Sequence, residues 1–214
     1  MFRIEDLFPA RCSGCTNARP SPCRNCIAVL APPPDLPVPA PLTSLAALVS
    51  YDDASRRFVG ALKYRNDRSS LSWFVDGLVL SYPLSTGPFA GTLTWAPTTE
   101  VRRRQRGFDQ ARLIATRVGR RLGIRPRRLL RRLPGPQQTG RTLSERLVGP
   151  SFEVLSRGSG SVVVVDDVST TGATLIAAAR VLQNAGFSEV HGLVIARTPE
   201  NRRLGPADRR SERA

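Results

Sequence analysis

The sequence predicts an α/β fold, a parallel sheet flanked by helices with a small cysteine module in front of it. Three observations carry that prediction. Val162-Val163-Val164-Val165 is a continuous β-branched run, the pattern of a strand buried on both faces of a parallel sheet. Ala173 to Ala185 follows with Leu175, Ala178, Ala179 and Leu182 on one helical face, closed by Asn184 and Gly186. Val190 to Ala196 is a second apolar strand. Strand, helix and strand at this spacing make a βαβ unit with a right-handed crossover.

The remaining elements fall into place around that unit. Leu93-Thr94-Trp95-Ala96, ending at Pro97, reads as an earlier strand that feeds an arginine-rich helix. From Phe108 to Leu122, residues Ala111, Ile114, Ala115, Val118 and Leu122 form one stripe, and Gly123 supplies the stop. Ahead of the globular part, residues 32–44 are a proline-rich linker with six prolines in APPPDLPVPAP, a stiff extended segment that cannot be helical. Residues 1–31 form the cysteine module, 45–199 the main domain, and 200–214 a charged tail expected to fray.

The 214 residues carry 32 basic and 17 acidic side chains, a formal charge of +15. With 23% charged and 41% hydrophobic residues the chain is neither a disordered polyelectrolyte nor a membrane protein. No apolar run approaches the ~20 residues needed to span a bilayer, and MFRIEDLFPARC lacks a signal-peptide core, so a cytoplasmic protein without membrane insertion is expected. The single histidine, His191, excludes most Ser-His-Asp, Cys-His and His-rich metal chemistry, and its place in an apolar strand reads as structural. Only Lys63 is a lysine, so 31 of the basic residues are arginines, a bias that points first to GC-rich codons. Thirteen of them lie between Arg102 and Arg132 beside one acid, Asp109. Such a stripe suits either phosphate tracking or a solvated helix face.

All four cysteines lie near the N-terminus as C-x2-C-x7-C-x2-C: Cys12, Cys15, Cys23 and Cys26. Two CxxC turns offer four soft ligands to one tetrahedral ion, which points to structural Zn2+. Disulfides do not suit a cytoplasmic chain, and a redox CxxC would follow a strand. Four protein ligands leave no open position, so the role is folding or docking.

The segment Val162 to Leu175 is the most informative. A buried strand carries two carboxylates at its end, Asp166 and Asp167, and then a small-residue turn opens a helix. Backbone N–H groups of residues 170–174, with the hydroxyls of Thr170, Thr171 and Thr174, form an anion site that Gly172 lets a ligand approach. Carboxylates beside a phosphate cradle make sense when they accept from sugar hydroxyls or hold Mg2+. A ribose 5-phosphate carries both groups.

This segment resembles the phosphoribosyl diphosphate (PRPP) motif of type I phosphoribosyltransferases. The resemblance implies that Asp166 and Asp167 contact the ribose hydroxyls, as catalytic and binding residues. It also implies that Ser169, Thr170, Thr171, Gly172, Ala173 and Thr174 hold the 5′-phosphate. Arg102-Arg-Arg-Gln-Arg106-Gly107-Phe108-Asp109-Gln110 is similar to the RGFNQ signature of the ComF family of competence-associated proteins. The cysteine quartet, Leu62-Lys63-Tyr64 and a Gln137-Gln138-Thr139 loop running to Arg146 match that family too. Asp109 stands where the family usually has Asn, and the segment after Arg146 lacks the usual Asn.

The implied reaction is Mg2+-assisted displacement of pyrophosphate from PRPP by an acceptor, with Pro97, Thr98, Arg102 and Arg103 on the pyrophosphate side. Thr170 occupies the place where oxopurine-specific relatives carry an aspartate, which disfavours hypoxanthine or guanine as acceptor. The other reading is a non-catalytic ComF-type factor that handles single-stranded DNA with the DNA-uptake machinery. No residue names the acceptor, the oligomeric state or a role for Lys63.

Overall fold

The computed structural model describes residues 11–17, 20–81, 91–134 and 149–199. The Gln137–Arg146 loop and the 200–214 tail lie outside them. Helix α1 spans Arg24–Ala28, strand β1 Ser44–Ser50, helix α2 Asp53–Tyr64 and helix α3 Leu71–Ser81. Strand β2 spans Thr92–Trp95, helix α4 Glu100–Arg106 and helix α5 Gln110–Leu122. Then come β3 Leu130–Arg132, β4 Phe152–Val154, β5 Ser161–Ser169, helix α6 Ala173–Asn184 and β6 Glu189–Arg197. The four strands β1, β6, β5 and β2 form one parallel sheet in that order, and β3 and β4 pair antiparallel beside it.

The valine run explains the two layers. Strand residues alternate faces, so Val163 and Val165 join Leu93, Trp95, Leu193 and Ile195 in a core covered by α2, α3 and α5. Val162 and Val164 face the other way, onto Leu175, Ala178, Ala179 and Leu182 of α6. At ~25 cal/mol per Å2 of apolar surface, each such buried valine or leucine stabilises the fold by about 1.5–3 kcal/mol. The helix and both strands of the predicted βαβ unit are present, and the four inward residues of α6 are all buried.

Two boundaries differ from expectation. β5 continues past Val165 through both acids to Ser169, because β6 stays paired with it as far as Arg197. β2 stops at Trp95, level with Val165. The arginine-rich helix is two helices: Gly107, at φ 78°, ends α4, and α5, capped by Asp109, begins at Gln110, two residues after the expected start. On α5, Ala111, Ile114, Ala115 and Val118 are buried and Leu122 half-buried.

Residues 32–43 form no regular element, yet they are tied to the sheet. The Arg197 guanidinium donates to the carbonyls of Leu36 at 3.0 Å and Pro37 at 2.6 Å, and Gln183 donates to Pro41 O at 3.1 Å. The cysteine module packs on α2, with Cys12 and Cys26 in the same core as Phe58. The Arg65 guanidinium donates to Ser13 O at 3.1 Å from the end of that helix. Among the described residues no helix is long and apolar enough to cross a membrane.

Candidate functional site

A cleft of about 240 Å3 opens at the carboxyl ends of β2 and β5. Its position follows from the sheet. β5 sends its crossover toward β6 on one side, while β2 flanks it on the other and ends four residues sooner. In open α/β sheets the crevice at such a switch of direction is where ligands bind.

One wall is the end of β5 and the turn after it, with Asp166, Asp167, Thr170 and Thr174 lining the cleft. Gly172, at φ 80°, sets up the first turn of α6, and a side chain there would meet Pro39 at 3.3 Å. Ser169 is buried, and Thr171 Oγ1 accepts from Ala173 N at 3.3 Å. The facing wall is Ala96, Pro97 and Thr98 with Arg102 and Arg106 of α4 and Gln110 of α5. Arg132 reaches the cleft from β3, and Tyr51 and Lys63 reach it from the β1–α2 side. The cleft therefore gathers Pro97, Thr98, Arg102, Asp166, Asp167, Thr170 and Thr174 from the expected set. Ser169, Thr171, Gly172 and Ala173 shape the turn, and Arg103 instead donates to Glu100 at 2.9 Å on the outer face of α4.

The electrostatics of the two walls differ. Burial first, and the charge of Asp167 second, push the Asp166 carboxyl up to about 8. Lys63 Nζ lies 3.0 Å from Asp167 Oδ1, in surroundings where their side chains are 19% and 13% exposed. Burial opposes the Lys63 charge, but Asp167 and then Asp166 more than offset it, and its pKa is raised. Burial and the nearby Arg102 charge lower the Arg132 pKa, with Asp166 and Asp109 acting against them. The acid pair thus offers acceptors beside the Lys63 ammonium, and the facing arginines offer donors and cations. That division suits a ligand with hydroxyls at one place and anionic oxygens at others.

Sequence reasoning missed the arrival of Tyr51, Arg106, Gln110 and Arg132 at this cleft. It left Lys63 without a role, although its isolation among arginines was already a signal. The stripe from Arg102 to Arg132 is also partly spent in ion pairs: Arg103 and Arg104 with Glu100, Arg121 with Asp76, and Arg131 with Glu153. His191 lies in the first half of β6, level with Val163, with Nδ1 2.8 Å from Ser44 Oγ. It holds two strands together there, below the cleft.

The four cysteine sulfurs lie within 4.8 Å of one another and form no disulfide. Four sulfurs at about 2.3 Å from one Zn2+ sit about 3.8 Å apart, so the cluster fits a tetrahedral metal. Burial and the other three sulfurs raise the Cys26 thiol, the strain of crowded thiolates that a cation relieves. For Mg2+ the fit at the acid pair is poorer. Asp166 Oδ1 accepts from Asp167 N at 2.8 Å and Asp167 Oδ1 holds the Lys63 ammonium, so direct coordination must displace a cation.

The part of the chain that carries the acid pair and the turn is similar to phosphoribosyl transferase domains. The phosphoribosyl transferase domain family matches residues 134–208, the stretch that carries both acids and the turn. The chain is similar to the competence protein ComFC of Bacillus subtilis (strain 168), 27% identical over 143 residues. That alignment covers 65% of this chain and 58% of the relative, so the chain spans little more than half the relative's length. Among solved structures, the orotate phosphoribosyltransferase from Aeropyrum pernix matches with TM-score 0.38 and 20% identity, over 71% of this chain and 80% of that one. The purine phosphoribosyltransferase from Pyrococcus horikoshii Ot3 gives 0.33 and 16%, over 59% and 88%.

Proposed function

We propose that the chain binds PRPP in this cleft, with Mg2+ carried on the diphosphate, and transfers the phosphoribosyl group to an acceptor. The observation that carries the reading is the opposition of two walls. Asp166, Asp167 and the threonine turn stand on one side, and Arg102, Arg106 and Arg132 with the Pro97-Thr98 backbone on the other. The turn of Ser169 to Thr174 cradles the 5′-phosphate at the start of α6, a 12-residue helix. The acids accept from the ribose hydroxyls. The arginines neutralise the pyrophosphate as its bond to C1 breaks and the pair of electrons leaves with it, while the acceptor bonds to C1 and its displaced proton passes to the departing pyrophosphate. Mg2+, if bound with the diphosphate, would add to the neutralisation that Arg102, Arg106 and Arg132 provide. The cysteine quartet holds Zn2+ as a structural ion. A reducing compartment, the cytoplasm, keeps its thiols available.

Calorimetric titration of PRPP tests this, with Mg2+ and then with EDTA. Wild-type protein is expected to bind near 1 µM, about −8 kcal/mol. Asp166→Asn/Asp167→Asn removes both acids and should lose that binding. Equal PRPP binding by the double variant sinks the reading.

A second reading, a non-catalytic factor that handles single-stranded DNA, gains one observation. Tyr64 is 77% exposed, and the Arg106 guanidinium lies over its ring at 5.2 Å, which brings an aromatic to the arginine stripe. Stacking on such an aromatic contributes about 1–3 kcal/mol per base. An oligonucleotide affinity that ignores both salt and Tyr64→Ala removes this reading.

A further inference from the structure

The acid pair of the cleft is already countered from within the chain. Lys63 stands in the last turn of α2, and its Nζ lies 3.0 Å from Asp167 Oδ1. Asp166 is the next residue along the strand, and its Oδ1 accepts from the Asp167 N–H. Lys63 is also the one lysine beside 31 arginines. Every other cationic position of the chain carries a guanidinium, and the position against the acid pair carries an ammonium. The two are not equivalent. A guanidinium is a planar fork, while an ammonium is a compact, strongly hydrated point charge on a slender stem. A compact hard charge held close to carboxylate oxygen is also what a divalent cation provides.

We infer that Lys63 is the resident counter-ion of the Asp166–Asp167 pair and holds the place a divalent cation would take there. The pair is thereby kept as an acceptor surface for hydroxyl groups, and these carboxylates exclude direct Mg2+ binding. The placement of Lys63 itself does not depend on the ligand being PRPP.

The test uses Mn2+ as a paramagnetic probe, with no PRPP present and with the cysteine cluster kept zinc-loaded. Electron paramagnetic resonance reads free Mn2+ against wild type, Lys63→Met, Lys63→Gln and Lys63→Met/Asp167→Asn. Both single variants are expected to take up one Mn2+ at least about tenfold more tightly than wild type, because Asp167 and its neighbouring acid have lost the cation that stood against them. The Asp167→Asn change in the Lys63→Met background is expected to abolish the gain. Thermal unfolding of each variant confirms that it is folded, and two replacements keep a folding defect in one from deciding the outcome. Variants that bind Mn2+ no more tightly than wild type overturn the inference, whether all bind or none does. A failure of PRPP to bind bears only on the proposed function, since this experiment contains none.

Discussion

Asp109 ties the pyrophosphate-side loop to the helix that follows it. Its Oδ2 accepts from Thr98 N at 3.1 Å, and its Oδ1 accepts from Arg112 N at 3.2 Å as the cap of α5. In an asparagine, usual at this place in the family the sequence resembles, one of these two oxygens is replaced by an NH2 group, a donor that would face one of the two N–H groups. Burial raises the Asp109 carboxyl, and the charge of Asp167 adds to that, so neutralising it returns part of what the lost bond costs.

Asp109→Asn therefore keeps the helix cap and releases Thr98. The net destabilisation is expected to be about 1 kcal/mol, a fall in Tm of about 2–4 °C for a chain of this size. Pyrophosphate binding should weaken with it, because the loop that faces the anion has lost its anchor. Urea unfolding and calorimetry with pyrophosphate measure both. An asparagine variant indistinguishable from wild type in both would leave the Thr98 bond without a role.

Asp166 gives the ligand-free protein a pH dependence of definite sign. Its carboxyl titrates near 4 in the unfolded chain and is pushed up to about 8 in the fold by burial and by Asp167. Between those values the folded state holds a proton that the unfolded state has released. Stability from this group is complete below about 4 and is lost as pH rises toward about 8. Asp166→Asn does not titrate and lacks the slope. The urea midpoint of wild type should fall more steeply than that of the variant between pH 5 and 8. Parallel curves would mean that Asp166 is ionised throughout.

Much of the fold was readable because particular residues allow one solution. Val162 to Val165 alternate between two helical layers, so only a doubly covered strand accepts them. Gly172 and Gly123 mark turns that need positive φ, at 80° and 70°. The acid pair and the threonine turn are contiguous, so their half of the cleft was readable too. The other half is assembled from distant elements. Lys63 comes from α2, Arg132 from β3, and Asp109 is turned toward Thr98 by a bond across eleven residues. Helix α3, LSWFVDGLVLS, is apolar on most of its surface, and such a run does not separate helix from strand by periodicity. The partners that occupy the arginine stripe, Asp76 above all, are visible only once the chain is folded.

Gln110 carries a cost that a ligand can remove. It is 2% exposed, its Oε1 accepts from Arg106 at 3.1 Å, and its Nε2 has no partner among the described residues. A buried donor without a partner costs about 1–3 kcal/mol. Gln110→Met keeps the shape and deletes that donor. The free protein is expected to gain about 1 kcal/mol, seen as a Tm raised by about 2–4 °C. A variant less stable than wild type would show that the Arg106 bond outweighs the orphaned nitrogen.

The cysteine module is expected to support the main domain and not merely to hang from it. Cys12 and Cys26 share a core with Phe58. A side chain at Gly14 would come within 2.4 Å of that ring, and Ser13 Oγ lies 2.8 Å from Ser69 Oγ in the turn before α3. Loss of the metal frees four crowded sulfurs beside α2, the helix that delivers Lys63 to the cleft. Cys12→Ser/Cys26→Ser should therefore abolish binding of the Zn2+ proposed for the cluster. It should also lower the unfolding midpoint of the whole domain by about 10 °C, the equivalent of several kcal/mol. Differential scanning calorimetry with a metal assay reads both effects in one preparation. A variant that loses its zinc while the main transition stays in place would show that the module folds on its own, and the packing on Phe58 would then be incidental to the cleft.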